Sequence, residues 1–175
     1  MSILHLILGL VAAQRVAELL LARRNTVRLL ASGAHEVGRR HYPLFVALHA
    51  GWLLAMLAFV PADAPPLWGL LALFLLLQAC RLWVLAALGP FWTTRVITLP
   101  GAPLVRGGPY RFFRHPNYLV VTAEIACLPL AFGAWEVALA FSCLNALLLT
   151  HRIRVEETAL RNREEDVSRS RAGKC

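Results

Sequence analysis

The chain has 175 residues, of which 58% are hydrophobic and 16% charged, and its mean hydropathy is +0.59. A soluble domain carries about 25% charged residues, so this composition excludes an ordinary soluble fold. The net charge of +8 leaves two classes, a membrane protein with cationic loops or a nucleic-acid binder, and the positions of the basic residues separate them.

In chain order, the first apolar stretch is Ser2–Ala22. No Lys or Arg precedes Arg15, unlike the basic start of a secretory signal, so a retained membrane helix is expected. Arg15 and Glu18 lie three apart, on one helical face, where they can pair. A charge at mid-membrane costs about 2.5–3.5 kcal/mol on insertion scales, so both should face protein or a cavity. The segment Gly33–Pro43 follows. Its His35, Glu36 and His41 could hold a metal, or His41 could act as a base, but an interfacial loop is the simpler reading. Leu44–Val60 is the second apolar stretch, with Trp52 as a packing residue and His49 as a hydrogen-bonded core residue. Pro66–Leu88 is the third and contains Gln78 and Arg81.

The fourth stretch, Leu119–Thr150, would measure about 48 Å as one straight helix, too long for a single span. Pro129 and Gly133 interrupt it. Two helices are therefore expected, Leu119–Phe132 and Ala134–Thr150, closed into a tight hairpin at Gly133-Ala134-Trp135. Glu124, inside this stretch, must be paired, protonated or facing a cavity. The predicted fold is all-α: about five membrane helices in a single domain over 1–166, a helical C-terminal extension, and a disordered tail at 167–175.

The loop charges test this topology. Sixteen of the 18 basic residues fall in alternate loops: the first (Arg23 to Arg40), the third (Arg95 to Arg114) and the tail (Arg152 to Lys174). The other two are Arg15 and Arg81. Basic residues on one side give an N-terminus outside and a C-terminus in the cytoplasm. No nucleic-acid partner is expected. The single lysine among so many arginines suggests a GC-rich bacterial genome, hence a bacterial inner membrane.

Two clusters then lie on the cytoplasmic side. The loop Gly89–Asn117 holds five of the ten prolines and four of the eleven glycines. Its core runs from Gly107 to Tyr118. A short helix starting at Pro109 would set Arg111 and Arg114 on one face, where they could simply touch lipid headgroups. The second cluster is His151-Arg152-Ile153-Arg154-Val155-Glu156-Glu157. On a continuing helix Arg152 and Glu156 are i,i+4 partners, and carboxylates there can accept from hydroxyls or pair with an ammonium. A solvated surface pair is the plainer reading. Cys80, Cys127, Cys143 and Cys175 show no metal or disulfide spacing, so no metal is expected. The dinucleotide, P-loop, nucleophile-elbow and zinc-protease motifs are absent.

Gly108-Pro109-Tyr110-Arg111 through Arg114-His115-Pro116-Asn117-Tyr118, followed by Arg152-Ile153 and Glu156-Glu157-x-x-Leu160, resembles the isoprenylcysteine carboxyl methyltransferase family. Arg81-Leu82-Trp83, Leu88-Gly89, Trp92, Arg95, Leu99-Pro100-Gly101 and the Gly33–Pro43 segment resemble its bacterial integral-membrane branch. The resemblance covers about residues 15–160. It implies an enzyme that transfers methyl groups from S-adenosylmethionine, with the cofactor part at about 89–166. The cofactor pocket would open to the cytosol, while a lipophilic acceptor would come in from the membrane. Gly108, Tyr110, His115, Pro116, Tyr118, Glu156 and Glu157 would bind the cofactor. Arg152 would stand nearest the acceptor, with Arg114 or Arg111 neutralising an anionic group. The family includes prenylcysteine enzymes, but the sequence after Glu157 lacks their aromatic residues, which favours a small lipid-like or polyketide acceptor. Bacterial relatives are associated with alkylpyrone O-methylation. Phospholipid N-methylation and a non-enzymatic membrane transporter or scaffold are the alternatives. A carboxylate acceptor needs only an Arg to orient it. A hydroxyl acceptor needs a base, for which His115, His151 and Glu124 are the candidates.

Overall fold

The structure is a computed structural model that describes residues 2–38, 42–102 and 105–172; of Leu160 and residues 162–172 it describes the backbone course alone. His41, a candidate base, and Arg39 and Arg40 lie outside the described residues, as do the contacts of Leu160. Five α-helices form the body: α1 (Ile3–Ala31), α2 (Tyr42–Phe59), α3 (Trp68–Leu88), α4 (Pro116–Ala131) and α5 (Trp135–Ala172). Among the described residues, four helices are long and apolar enough to cross a membrane, the exception being α4. With 16 residues, α4 rises about 24 Å, less than the roughly 30 Å of hydrocarbon.

The helix ends follow from local chemistry. The Ser2 hydroxyl caps the start of α1 by accepting from the His5 amide, the usual role of serine there. Pro116 opens α4, where a missing N–H costs nothing. Pro129 stands inside α4 two residues before its end. The helix stops at the turn 132–134, where Gly133 takes φ +72° and the Ala134 amide donates back to the Pro129 carbonyl at 3.0 Å. From there α5 returns against α4, and Asn145 donates to Thr122 at 3.2 Å. Nothing breaks α5 near residue 150, so the helix reaches Ala172, past Asp166. Residues 173–175 lie outside the described ones.

Composition hides one element. His35–Val37 (β1) and Val96–Thr98 (β2) pair antiparallel, in the register His35 to Thr98, Glu36 to Ile97 and Val37 to Val96. Among the described residues the regular structure is thus helical apart from this two-stranded ribbon. Three-residue strands are too short to leave a period-2 pattern.

The body is layered along the helix axes. At one end, Leu4 and Leu8 of α1 pack with Trp52 and Met56 of α2, Phe74 of α3 and Leu128 of α4. The middle is polar. Arg81 donates to Glu18 through Nε (2.6 Å) and to Glu124 through Nη1 (3.2 Å). Arg15 reaches Glu18 at 3.2 Å and Glu124 at 2.7 Å. Gln14 and Gln78 donate to the same two carboxylates. This cluster ties α1, α3 and α4 together at mid-depth, pairs two cations with two anions, and gives all four charges the protein partners that their place in the sequence demanded. His49 hydrogen-bonds the Phe45 carbonyl through Nδ1 at 2.8 Å. At the far end the helices part around a cavity. Leu10, Leu54, Leu75 and Leu147 point outward, exposed, as suits side chains that face lipid.

Candidate functional site

The cavity measures about 570 Å3. Two stretches distant in sequence build most of it, the loop that follows α3 with the start of α4, and the middle of α5; Leu29 of α1 adds to the lining. Of the nine site residues read from the sequence, seven line it: Tyr110, Arg114, His115, Tyr118, Arg152, Glu156 and Glu157. Gly108 and Pro116 do not. Gly108 has φ +58°, and a Cβ there would meet the Ala87 Cβ at 2.9 Å and the Trp83 Nε1 at 3.4 Å. Its lack of a side chain lets the loop lie against α3. Pro116 is buried in the first turn of α4. Both residues shape the wall from behind.

The polar groups converge at Tyr118. Its hydroxyl donates to Glu156 Oε2 and accepts from Arg152 Nε at 2.8 Å. The tyrosine thus stands between the two members of the expected i,i+4 pair. Arg152 Nη2 also donates to the Thr94 carbonyl at 2.9 Å, and the guanidinium lies over the Phe45 ring at 5.0 Å. The His115 ring stacks on Tyr118, with centroids 5.3 Å apart and planes within 17°. His115 Nε2 lies 3.5 Å from Glu157 Oε1, and Nδ1 lies 3.9 Å from Glu156 Oε1. Burial, and then the Glu156 charge, push the Tyr110 hydroxyl above its ordinary pKa.

The short helix of the loop spans Gly108–Arg111 and ends before Arg114, so the two arginines do not share a face. Arg114 lines the cavity, exposed, while Arg111 lies over the Phe112 ring at 5.0 Å. Of the three candidate bases only His115 is on the wall. Glu124 is committed to the buried ion cluster, and His151 is exposed.

Composition did not single out several residues that also line the cavity. Trp92 and Asn117 are among them. Each carries a buried polar atom with no partner among the described residues, Trp92 Nε1 and Asn117 Oδ1. Other buried polar atoms without a partner lie away from the cavity, Trp52 Nε1 and Gln78 Oε1 among them, so what distinguishes these two is their place on its lining. Trp92 is pinned from both sides: Asn25 donates to its carbonyl at 2.9 Å, and the Arg81 guanidinium lies 5.9 Å from its ring. A second face of the cavity is apolar, formed by Leu29, Leu88, Phe91, Val96, Leu99 and Val105. The wall therefore offers two carboxylates and aromatic rings suited to a cation with hydroxyl donors, beside arginines and an aliphatic surface.

The sequence profile of the isoprenylcysteine carboxyl methyltransferase (ICMT) family matches residues 70–162, a span that holds all nine site residues. The chain is 39% identical over 159 residues to a Bacillus subtilis (strain 168) protein named "Uncharacterized protein YpbQ", covering 89% of this chain and 95% of that one. It is 27% identical over 168 residues to a Haemophilus influenzae (strain ATCC 51907 / DSM 11121 / KW20 / Rd) protein named "Uncharacterized protein", covering 91% of this chain and 96% of the relative. No solved structure matches.

Proposed function

The chain belongs to the isoprenylcysteine carboxyl methyltransferase family and is an integral membrane protein; from that premise we propose that it methylates an oxygen of a lipophilic acceptor, a carboxylate or a hydroxyl, with S-adenosylmethionine as donor. The observation that carries the reading is that the Tyr110–Tyr118 loop and the Arg152–Glu157 segment, about 35 residues apart, line one cavity and are joined there by the hydrogen bonds of Tyr118 to Glu156 and Arg152. A transporter predicts instead that Arg15, Glu18, Arg81 and Glu124 line an open path, whereas they are closed on one another.

The cofactor supplies an electrophilic methyl group on a sulfonium. The residues present fit it. Glu156 and Glu157 hold its cationic and hydroxyl groups, since carboxylates are acceptors in charge-assisted hydrogen bonds. The His115–Tyr118 stack and Tyr110 give flat aromatic surface, and Trp92 Nε1 and Asn117 Oδ1 supply a spare donor and acceptor. Arg152, fixed through Nε and Nη2, orients the acceptor oxygen by charge, and Arg114 adds a second cation at the wall. Holding reactants in line is the main source of rate in such a transfer. A carboxylate acceptor needs no base. A hydroxyl acceptor loses its proton to His115, the titratable ring that lines the cavity. The aliphatic face takes the acceptor's chain. An arginine next to the acceptor attracts an oxyanion and repels an ammonium, which favours oxygen over nitrogen.

In this reading one catalytic domain spans 1–166, with the cofactor part at about 89–166. Helix α4 is a short fifth span, hairpinned with α5, and its irregular end at 129–134 is tolerated because it is packed within the protein. The cavity faces the cytoplasm of a bacterial inner membrane, with the N-terminus outside. Lipid profiling of cells with and without the gene tests the proposal. A lipophilic species heavier by one methyl group in the expressing cells is expected, and its label, from labelled methionine, should sit on oxygen. Label confined to phospholipid headgroup nitrogen, or no new species, overturns it.

A further inference from the structure

The Gly33–Pro43 segment is the one cluster singled out in the sequence that the proposed chemistry leaves unused. The ribbon pairs its strand β1 with β2, whose Val96, Ile97 and Thr98 line the cavity. The Glu36 carboxylate receives Arg95 Nη1 on both oxygens, at 3.0 and 2.9 Å, with the Glu36 side chain 13% exposed and that of Arg95 33%. The Arg95 guanidinium lies 4.7 Å from the Tyr42 ring. The Thr94 hydroxyl donates to the Tyr42 hydroxyl at 3.4 Å, and the Thr93 hydroxyl donates to the Arg95 carbonyl at 2.8 Å. Residues 93–95 are thus held by Glu36 of β1, by Tyr42 at the start of α2 and by their own Thr93–Arg95 hydrogen bond. The carbonyl of Thr94, in the middle of that stretch, is the group that holds Arg152 Nη2.

From this chain of contacts we infer that Glu36 is a positioning residue for Arg152. It pins Arg95, Arg95 fixes the 93–95 backbone, and the Thr94 carbonyl sets one of the two hydrogen bonds that orient the guanidinium. A hydrogen-bonded carbonyl directs a planar guanidinium only if the carbonyl itself cannot swing. Glu36 has a second effect of the same sign. Arg95, Arg106, Arg114, Arg152 and Arg161 all line the cavity, and Arg95 beside Glu36 is neutralised within a wall that must accept a cation. The catalytic consequence rests on the role proposed for Arg152, but the mechanical link does not.

Arginine side-chain NMR on the detergent-purified protein reads the link without cofactor or turnover. In Glu36→Ala, rotation of the Arg152 guanidinium about Nε–Cζ should speed up about tenfold, the worth of one lost hydrogen bond. Arg95→Ala should do the same from the other side. The double variant should loosen Arg152 no further than either single one, because both act through one pair. Unchanged rotation in a folded single variant overturns the inference; if Glu36→Ala fails to fold, Arg95→Ala decides. Turnover adds the functional arm: kcat should fall about 10–100-fold in both single variants, the cost of a small misplacement; cofactor affinity should fall in Glu36→Ala, which leaves Arg95 unneutralised on the wall, and should not fall in Arg95→Ala, where Glu156 and Glu157 are untouched. Should the wild type bind no S-adenosylmethionine while Arg152 still loosens, the methyl-transfer reading falls and the positioning link stands. Should the cofactor bind while Arg152 stays rigid, the reverse holds.

Discussion

Two polar clusters sit along the same helix bundle, and each contains arginine and glutamate. In the interior cluster, Arg15, Glu18, Arg81 and Glu124 are buried or nearly so, and every carboxylate oxygen receives at least one donor. In the cavity cluster, Glu156 and Glu157 are 28% and 39% exposed, and orphan atoms remain at Trp92 and Asn117. In the interior cluster Arg15 Nε and Gln78 Oε1 also lack partners among the described residues, but its carboxylates are buried and fully occupied, so the cluster is charge-balanced and serves the fold. An open one keeps capacity and serves binding. The same residue types therefore do different work according to how far their hydrogen bonds are already used.

The largest effect should come from breaking the closed cluster. Arg81→Leu leaves Glu18 and Glu124 facing each other through Arg15 alone. Removing one partner of a buried pair costs about 3–5 kcal/mol, so denaturant unfolding in detergent should show a loss of that size. A variant as stable as the wild type would mean that the cluster does not hold the bundle together. Next, Arg152→Lys should lower kcat about 100-fold while the unfolding midpoint moves little. A lysine ammonium cannot reproduce the fork that meets Tyr118 and Thr94 together. An equal loss of stability and activity would place Arg152 with the structural cluster. Gly108→Ala forces φ +58° on a residue with a Cβ and drives that Cβ to 2.9 Å from Ala87. It should cost about 1–3 kcal/mol and show in the melting temperature.

The smallest effect is a pH dependence. Burial and the Glu156 charge raise the Tyr110 pKa above its ordinary value of about 10. In the unfolded chain the phenol ionises at that value, while in the folded chain it stays protonated. Above pH 10 the unfolded state therefore binds fewer protons, and stability falls as pH rises. Thermal unfolding between pH 9 and 11 should show a shallower decline in Tyr110→Phe than in the wild type. Parallel declines would mean that Tyr110 is solvated like a free phenol.

Much of this was legible in the residues. The break at Gly133, the pairing of Arg15 with Glu18 and the commitment of Glu124 follow from hydropathy and the cost of lone charges in lipid. Two short motifs supplied all nine candidate site residues, and seven of them line one cavity. What stayed hidden has common causes. The Thr94 carbonyl is a backbone group, and no side-chain pattern announces it. Glu36 and Arg95 meet through three-residue strands too short to show a period. Gly108 is read from its motif as part of the cofactor pocket; the structure adds its close approach to Ala87 of α3, a neighbour that no motif announces. Hydropathy marks the end of a membrane span near residue 150 but not the end of the helix: α5 runs on through the segment expected as a helical extension, since nothing there caps it.

The central claim is that the open cluster binds the methyl donor. Titration calorimetry of the detergent-purified wild type with S-adenosylhomocysteine, the demethylated product, tests it most directly. The account predicts saturable binding at one site, weakened about tenfold or more in both Glu156→Ala and His115→Ala, as expected for lost charge-assisted and stacking contacts. No binding, or binding that neither substitution changes, contradicts it.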